Sequence, residues 1–472
     1  MMVFREAPTN ETGLWGTIRP NYRVGAMDLV FPHTFVPQLR GVAPYIHAYH
    51  GKTFVVAMAG ELIAAGKLSS FAQDLAIFHA MGIKIVLVHG FRPQVNEQMK
   101  AKGHSSVFSH GIRITDAFAL DCAQEAAGQL RFEIEAAFSQ GLPNTPMANA
   151  TVRVVSGNFM TARPVGIMDG VDFMHSGVVR KVDGEAIRRA IDTGAMVLLS
   201  PFGFSPTGEA FNLAMEDVAT SAAIALKADK LIFLTEIAGI HENPADATSP
   251  IDTELALADA QRMLASLPNP QQPTDTAFYL QHCVKACRGG VERTHILPFN
   301  VDGALLLEVF THDGIGTMVV DEKLESLREA TVDDLGGILK LIEPHEADGT
   351  LVKRDRTEIE RDLHLYTVIE HDGVIFGSAA LYPYPEAKTA EMAALTVSPN
   401  VQNKGDGERI LKRIEQRAKA MGFESIFVLT TRTMHWFMKR GFVVGDPDWL
   451  PDARKSSYNW DRRSQVLVKK LS

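Results

Sequence analysis

Residues 389–410, TAEMAALTVSPNVQNKGDGERI, combine residue types and spacing that could hold a phosphate. An apolar run reads as a strand ending at Val397, and Pro399 stops its pairing. Gln402, Asn403, Lys404, Gly405, Asp406 and Gly407 follow, and they open an amphipathic helix that turns Ile410, Leu411 and Ile414 inward. Glycines let the backbone approach a ligand closely, and a helix N-terminus offers unpaired N–H groups with the positive end of the helix dipole. A pyrophosphate suits that arrangement. A ligand-free strand–turn–helix junction would use glycine too, so the loop by itself leaves both readings open. His282, Cys283 and Cys287 match no standard zinc spacing and read as one helix face, so no metal is expected. Trp436 and Phe437 read as packing against the long helix.

Positioning such a loop takes a folded domain, and at 472 residues the chain has room for two or three. Apolar residues make up 46% and charged residues 22%, the balance of a soluble globular protein, and the net charge of −9 gives no general attraction for nucleic acid or an anionic membrane. Three cysteines, Cys122, Cys283 and Cys287, fit a reducing cytosol rather than a disulfide framework. No window is apolar enough to span a bilayer and no signal peptide is legible, so the expected compartment is the cytoplasm.

Residues 1–33 lack periodicity and read as a flexible tail. Residues 34–50 carry apolar side chains at helical spacing and stop at Gly51. Strands at 52–58, 84–88, 152–155, 196–199, 230–235 and 294–297 then alternate with helical patterns such as 70–80, 216–226 and 276–287, which implies a parallel sheet covered on both faces. A charged stretch, 321–326, reads as the linker. Beyond it the order changes: helices at 332–343 and 357–363, strands at 366–370, 374–381 and 389–397, a long helix at 407–421, a strand at 425–430, a short helix at 434–440 and a last strand at 464–470. Short links between the central strands make this second sheet mixed and mainly antiparallel.

The sequence of a strand, Gln-x-x-Gly-x-Gly, a long helix, a strand, a short helix, then Arg440, Gly441 and Phe442 resembles the GNAT acetyltransferases throughout 327–472. The resemblance implies acetyl-coenzyme A as co-substrate. Its pyrophosphate would sit on Gln402, Asn403, Gly405, Asp406 and Gly407, and its pantetheine arm would lie along the backbone at Ala394, Leu395 and Val397. Many GNAT enzymes carry a tyrosine four residues before the Gly-Phe pair; here that place holds Phe437.

Residues 34–320 resemble the amino-acid kinase fold, and acetylglutamate kinases in particular. The resemblance rests on Val86–Leu87–Val88–His89–Gly90, on Gly111–Ile112–Arg113–Ile114–Thr115–Asp116, on Val155–Ser156–Gly157–Asn158 and on Leu231–Ile232–Phe233–Leu234–Thr235. Working kinases of that family follow the first strand with a lysine and two glycines; here the place reads Ala57, Met58, Ala59, Gly60. The Asn-x-Asn-Ala-Asp segment is altered to Asn212, Leu213, Ala214, Met215, Glu216, and a later lysine falls loosely at Tyr279. Phosphoryl transfer depends on positioning and charge stabilisation, so these losses imply a kinase-shaped domain without kinase chemistry. His295, Glu308 and Gly314 stand at the spacing of arginine-sensitive acetylglutamate kinases. That likeness implies an L-arginine site in which Glu308 pairs the guanidinium, Gly314 and Gly316 offer backbone groups, and Lys230 and His295 flank the ligand. The helix at 34–50 resembles the one through which those kinases form hexameric rings, so a homo-oligomer, a hexamer, is expected.

Joined, the two halves are similar to the bacterial N-acetylglutamate synthases, and the fold class expected is α/β: a three-layer αβα domain followed by an α+β GNAT domain. The likeness implies transfer of the acetyl group to the α-amine of L-glutamate, with Arg354 and Arg462 binding carboxylates, helped by Ser464 and backbone of Val352 and Ala394. Glu391 would be the base, directly or through a water, and Thr430 the proton donor to the leaving thiolate. A backbone N–H near Ala394 or Leu395 would receive the oxyanion. Surface ion pairs are the commoner fate of such arginines, and a cross-strand salt bridge is the plain alternative for Glu391. Two rival functions remain: a bifunctional synthase–kinase, and an arginine-binding regulator with an inactive GNAT domain.

Overall fold

The computed structural model describes residues 35–471 except 244–245, 247, 268–273, 312–313, 322–324, 372, 399–404, 461 and 463. The expected tail, 1–33, and the expected cofactor residues Gln402 and Asn403 lie outside the described residues.

Helix α1 (Phe35–Tyr49) leads into the first domain. Its sheet is built from β1 (Thr53–Met58), β2 (Lys84–His89), β3 (Arg153–Ser156), β4 (Ala195–Leu199), β5 (Lys230–Thr235), β6 (Glu254–Ala256), β7 (Arg293–Pro298) and β8 (Thr317–Val320). The strand order among the described residues is β6-β8-β7-β5-β1-β2-β4-β3. Neighbours run parallel except β7 and β8, which are antiparallel. The expectation of a parallel sheet therefore holds for the body and fails at that one pair. Strands such as KLIFLT are apolar on both faces because helices cover both. Val55, Ala57, Val86 and Val88 pack toward helices α4 (Met215–Leu226) and α5 (Asp275–Arg288), which makes one outer layer. On the other face Phe54 meets Phe78 of α2 (Leu68–Ala80) edge to face. A further long helix, α3 (Ala117–Phe138), starts at Asp116, whose carboxylate accepts from the Ala119 N–H.

The second sheet holds β9 (Glu325–Glu329), β10 (Tyr366–His371), β11 (Val374–Tyr384), β12 (Thr389–Val397), β13 (Ser425–Thr430), β14 (Val443–Gly445) and β15 (Gln465–Lys470), in the order β9-β10-β11-β12-β13-β15-β14. Among the described residues only β12 and β13 run parallel in it. The expected linker, 321–326, is shorter than that: Glu325 and Ser326 pair with His371 and Glu370, so both belong to the sheet. Their charge and polarity hid the strand, which is specified by its partner and not by apolar patterning. Helix α6 (Leu335–Ala347) covers one face, with Ile338 and Ile342 against Val368 and Ala380. Helix α7 (Asp406–Ala420) covers the other with Ile410, Leu411, Ile414 and Ala418.

Candidate active site and effector site

Strands β12 and β13 are paired only at Thr389–Ser425, Ala390–Ile426 and Glu391–Phe427. Beyond Glu391 they part, and a cleft of about 780 Å³ opens in the fork. The divergence has a local cause. One residue of β11, Ala379, faces two of β12, Ala394 and Leu395, because the register shifts between Ser378 and Ala380. At this bulge Ala394 adopts φ +53°, left-handed for a residue with a side chain. The bulge turns Met392 and Leu395 to the α7 side and Ala394 to the α6 side.

Met392, Ala394, Leu395 and Val397 form one wall of the cleft, and Gly405, Asp406 and Gly407 form its floor at the start of α7. Gly405 takes φ +96° as the residue before the helix. A Cβ on Gly407 would stand 3.2 Å from the Trp436 ring, so glycine keeps that corner open. The Asp406 carboxylate, close to where a phosphate would dock, is engaged by Arg409 at 3.2 Å. The Arg440 guanidinium carbon lies over Trp436, 3.9 Å from the ring centroid, and Arg440 also lines the cleft. Thr430 stands at the far wall: its hydroxyl is 2.8 Å from that of Thr433 and accepts the Thr433 N–H at 3.1 Å. Phe437 is buried core, packed edge-on against Phe442.

Glu391 is placed differently from expectation. Its side chain does not line the cleft; it is buried and paired with Arg454, Nε to Oε2 at 2.6 Å and Nη2 to Oε1 at 3.2 Å. Arg454 sits on a four-residue helix, α9 (Asp452–Lys455), which comes after the short helix α8 (Met434–Met438) and strand β14. It stands 63 residues from Glu391, and no spacing rule links the two.

Arg354 and Arg462 come together with a third guanidinium, Arg432. Arg462 is held below the usual guanidinium range by burial first and then by the positive charges of Arg354 and Arg432. Arg462 donates to the Thr350 carbonyl, Arg354 to the Val352 carbonyl at 3.3 Å, and Arg432 to the Thr350 hydroxyl at 3.0 Å. Thr350 and Arg432 also line the cleft, so the cationic cluster adjoins it. Mutual repulsion among three guanidiniums is relieved by an anion, and Asp348 stands 3.5 Å from Arg432 as a partial counter-charge. Ser464 lies just ahead of β15, with its carbonyl accepting from the Tyr458 hydroxyl.

The first domain brings its five predicted residues into one place. His295 Nδ1 donates to Glu308 at 2.7 Å, and its Nε2 faces Lys230 at 3.4 Å. Burial and then the neighbouring Lys230 lower His295 to about 4, so it is neutral and presents a bare Nε2 to the ammonium. Lys230 lies 4.9 Å from the Tyr49 ring centroid. Glu308 is buried, which alone would raise its carboxyl, yet the bond from His295 and those from the Ile315 and Gly316 N–H groups hold it low. Gly314 has φ +60°, and a Cβ there would collide with the Glu308 carboxylate. The carboxylate expected to await a guanidinium is thus already satisfied by its own loop.

A separate cavity of about 260 Å³ lies at the ends of β1 and β2, lined by Ala59, Gly60, Arg92, Arg113, Glu216 and Tyr279 among others, with no lysine among its described lining residues. Burial raises the Glu216 carboxyl. Among the described residues no group of three or more His, Cys, Asp or Glu could hold a metal ion, and no helix is long and apolar enough to cross a membrane.

Residues 52–298 match the amino acid kinase family and residues 324–442 the acetyltransferase (GNAT) family. An amino-acid acetyltransferase of Ralstonia nicotianae is 59% identical over 437 residues, which are 93% of this chain and 95% of that protein. One from Ectopseudomonas mendocina is 45% identical over 439 residues, 93% and 100% of the two chains. The crystal structure of N-acetylglutamate synthase from Neisseria gonorrhoeae complexed with coenzyme A and L-arginine is similar at a TM-score of 0.80, 37% identity, covering 93% of this chain and all of that one. A second crystal structure from the same organism, with coenzyme A and N-acetyl-glutamate, gives 0.58 at the same identity and coverage. Fold and cleft therefore define a GNAT acetyltransferase domain behind an amino-acid kinase-like domain. The chain belongs to the amino-acid acetyltransferase family: it is an enzyme that acetylates an amino acid with acetyl-coenzyme A as co-substrate.

Proposed function

We propose that the amino acid is L-glutamate, that the reaction is the first step of arginine biosynthesis, and that L-arginine bound to the kinase-like domain inhibits it. The observation that carries the substrate is the cluster of Arg354, Arg432 and Arg462 beside the cleft. A dicarboxylate satisfies several guanidiniums at once, which a neutral side chain does not. The neisserial relatives, solved with L-arginine and with N-acetyl-glutamate, support the same reading.

In this scheme the pyrophosphate rests on Gly405, Asp406 and Gly407, together with Gln402 and Asn403, and the pantetheine arm runs along β12 at Ala394, Leu395 and Val397. Arg354 and Arg462 bind the substrate carboxylates, with Ser464 and the backbone of Val352 and Ala394 beside them. Glu391 accepts the amine proton through a water. The amine nitrogen then bonds to the thioester carbonyl carbon, and the oxyanion meets a backbone N–H at Ala394 or Leu395. The C–S bond breaks as the carbonyl re-forms. Thr430, accepting from the Thr433 N–H, turns its hydroxyl proton to the departing sulfur and regains one, through water, from the nitrogen, which gives up its second proton as the amide forms. Arginine binds at Lys230, His295, Glu308, Gly314 and Gly316, where its guanidinium takes over the carboxylate now bonded to Ile315 and Gly316.

The cavity at β1 and β2, with no lysine among its described lining residues, weighs against a second, kinase activity. The protein works as a homo-oligomer, a hexamer, assembled through α1, whose Phe35, Val36 and Leu39 are exposed. It works in the cytoplasm, where its buried Cys122, Cys283 and Cys287 stay reduced. The test is thiol release from acetyl-coenzyme A against each of the twenty amino acids, with and without arginine. Turnover with glutamate alone, suppressed by arginine, is the expected result; turnover with a neutral amino acid at equal efficiency rules the substrate assignment out.

A further inference from the structure

The proposed function makes Glu391 the proton acceptor, and a role for its partner Arg454 rests on that reading. Glu391 is the last residue of β12 to pair with β13, and Met392, the next residue, lines the cleft. Its side chain is only 8% exposed. A carboxylate buried to this degree needs a charge partner and hydrogen bonds to its oxygens. The cation is Arg454, itself 20% exposed, and its contact is a two-point fork through Nε and Nη2. The third nitrogen of the fork is fixed as well: Nη1 donates to the Ser457 carbonyl at 3.2 Å and to its hydroxyl at 3.1 Å. The remaining neighbour, the Tyr384 hydroxyl, lies 3.5 Å from Oε2. Burial, then the Glu391 charge, pushes it up to about 12, so it stays neutral and cannot replace the guanidinium.

We propose that Arg454 is a positioning residue for acetyl transfer, holding the Glu391 carboxylate in one orientation behind the point where β12 and β13 part. The two-point bond fixes the plane of the carboxylate, which a lysine at one point cannot do. A base displaced by an ångström loses about a hundredfold in rate, which makes orientation as important as charge.

The full-length enzyme is tested as Arg454→Ala, Arg454→Lys, Glu391→Gln and the double variant Glu391→Gln/Arg454→Ala, each with kcat and both KM values and a melting curve. Arg454→Ala lowers kcat about tenfold or more, leaves the acetyl-coenzyme A KM within about twofold, and recovers part of kcat when guanidinium ion is added at concentrations that leave the wild type unaffected. Arg454→Lys falls between wild type and Arg454→Ala. The double variant is no slower than Glu391→Gln, because both changes disable one unit. Arg454→Ala at wild-type kcat overturns the inference. So does a loss that appears equally in kcat and in acetyl-coenzyme A binding and that guanidinium does not restore, since that is a merely structural role. If Arg454→Ala fails to fold, Arg454→Lys decides: unchanged kcat against an impaired Glu391→Gln overturns the positioning role alone. Glu391→Gln at wild-type kcat removes the base reading instead, and the inference with it.

Discussion

Arg462, proposed to bind a substrate carboxylate, stands in a crowded cationic setting. It shares its surroundings with Arg354 and Arg432, and it donates to the Thr350 carbonyl. A charge-assisted bond to a carboxylate contributes about 1.5–3 kcal/mol, so Arg462→Ala is expected to raise the glutamate KM roughly tenfold or more while the acetyl-coenzyme A KM stays near its wild-type value. Initial-rate kinetics with each substrate varied in turn checks this; a rise shared equally by both substrates assigns Arg462 a structural role. Histidines record burial in a different way. Burial lowers His89, His282 and His295 each to about 4 from the usual 6.5. Between those values the unfolded chain binds protons that the native one refuses. The stability that each neutral histidine contributes is therefore present above about pH 6.5 and is lost as the pH falls toward 4, at up to about 1.4 kcal/mol per pH unit per histidine. Urea unfolding midpoints at pH 7.5, 6 and 5 should fall steadily, and His89→Gln should flatten the slope; a midpoint independent of pH contradicts the burial of these rings.

Among the elements, β12 is where the fold and the cleft depend on each other. Its bulge puts Ala394 at φ +53° and ends the pairing with β13 at Glu391. A β-branched side chain resists that conformation by about 1–3 kcal/mol. Ala394→Val should therefore lower the melting temperature by several degrees and weaken acetyl-coenzyme A binding, whereas Ala394→Gly should keep both. Calorimetric titration with acetyl-coenzyme A beside melting curves tests the pair. Wild-type affinity and melting in Ala394→Val would mean that the strand parts for another reason. The start of α7 is a plainer device. Glycine at 405 supplies the left-handed entry and glycine at 407 leaves space beside Trp436.

For the whole molecule, the proposed regulation requires that arginine bound at the end of the first domain change acetyl transfer in the second. Glu308 ties the His295 ring to the backbone at Ile315 and Gly316, immediately ahead of β8, the last strand before residues 321–324 and the second domain. An effector that claims this carboxylate must release that backbone, so its binding energy is coupled to the conformation of the connection. Glu308→Ala should raise the arginine concentration for half inhibition at least tenfold at fixed glutamate. Titrations of wild type and variant with the same midpoint would move the arginine site elsewhere.

Local patterning determined much of this. Continuous apolar runs such as those of β1, β2 and β5, and the glycines at the start of α7, state their environment in a few adjacent residues, so these strands and the start of that helix were legible from the sequence. The antiparallel pairing of β7 with β8 and the extension of the second sheet to Glu325 were not, because strand direction and pairing are set by partners distant in sequence. Side-chain partnership was legible least of all. The sequence marks Glu391 and Glu308 as acids worth watching, but any of many arginines could have met Glu391, and only the placement of α9 beside β12 makes it Arg454. Only the turn at Gly314 lets a backbone occupy Glu308. A side chain's identity fixes what it can bond to, but distances set by register, bulge and loop closure decide which of those bonds forms.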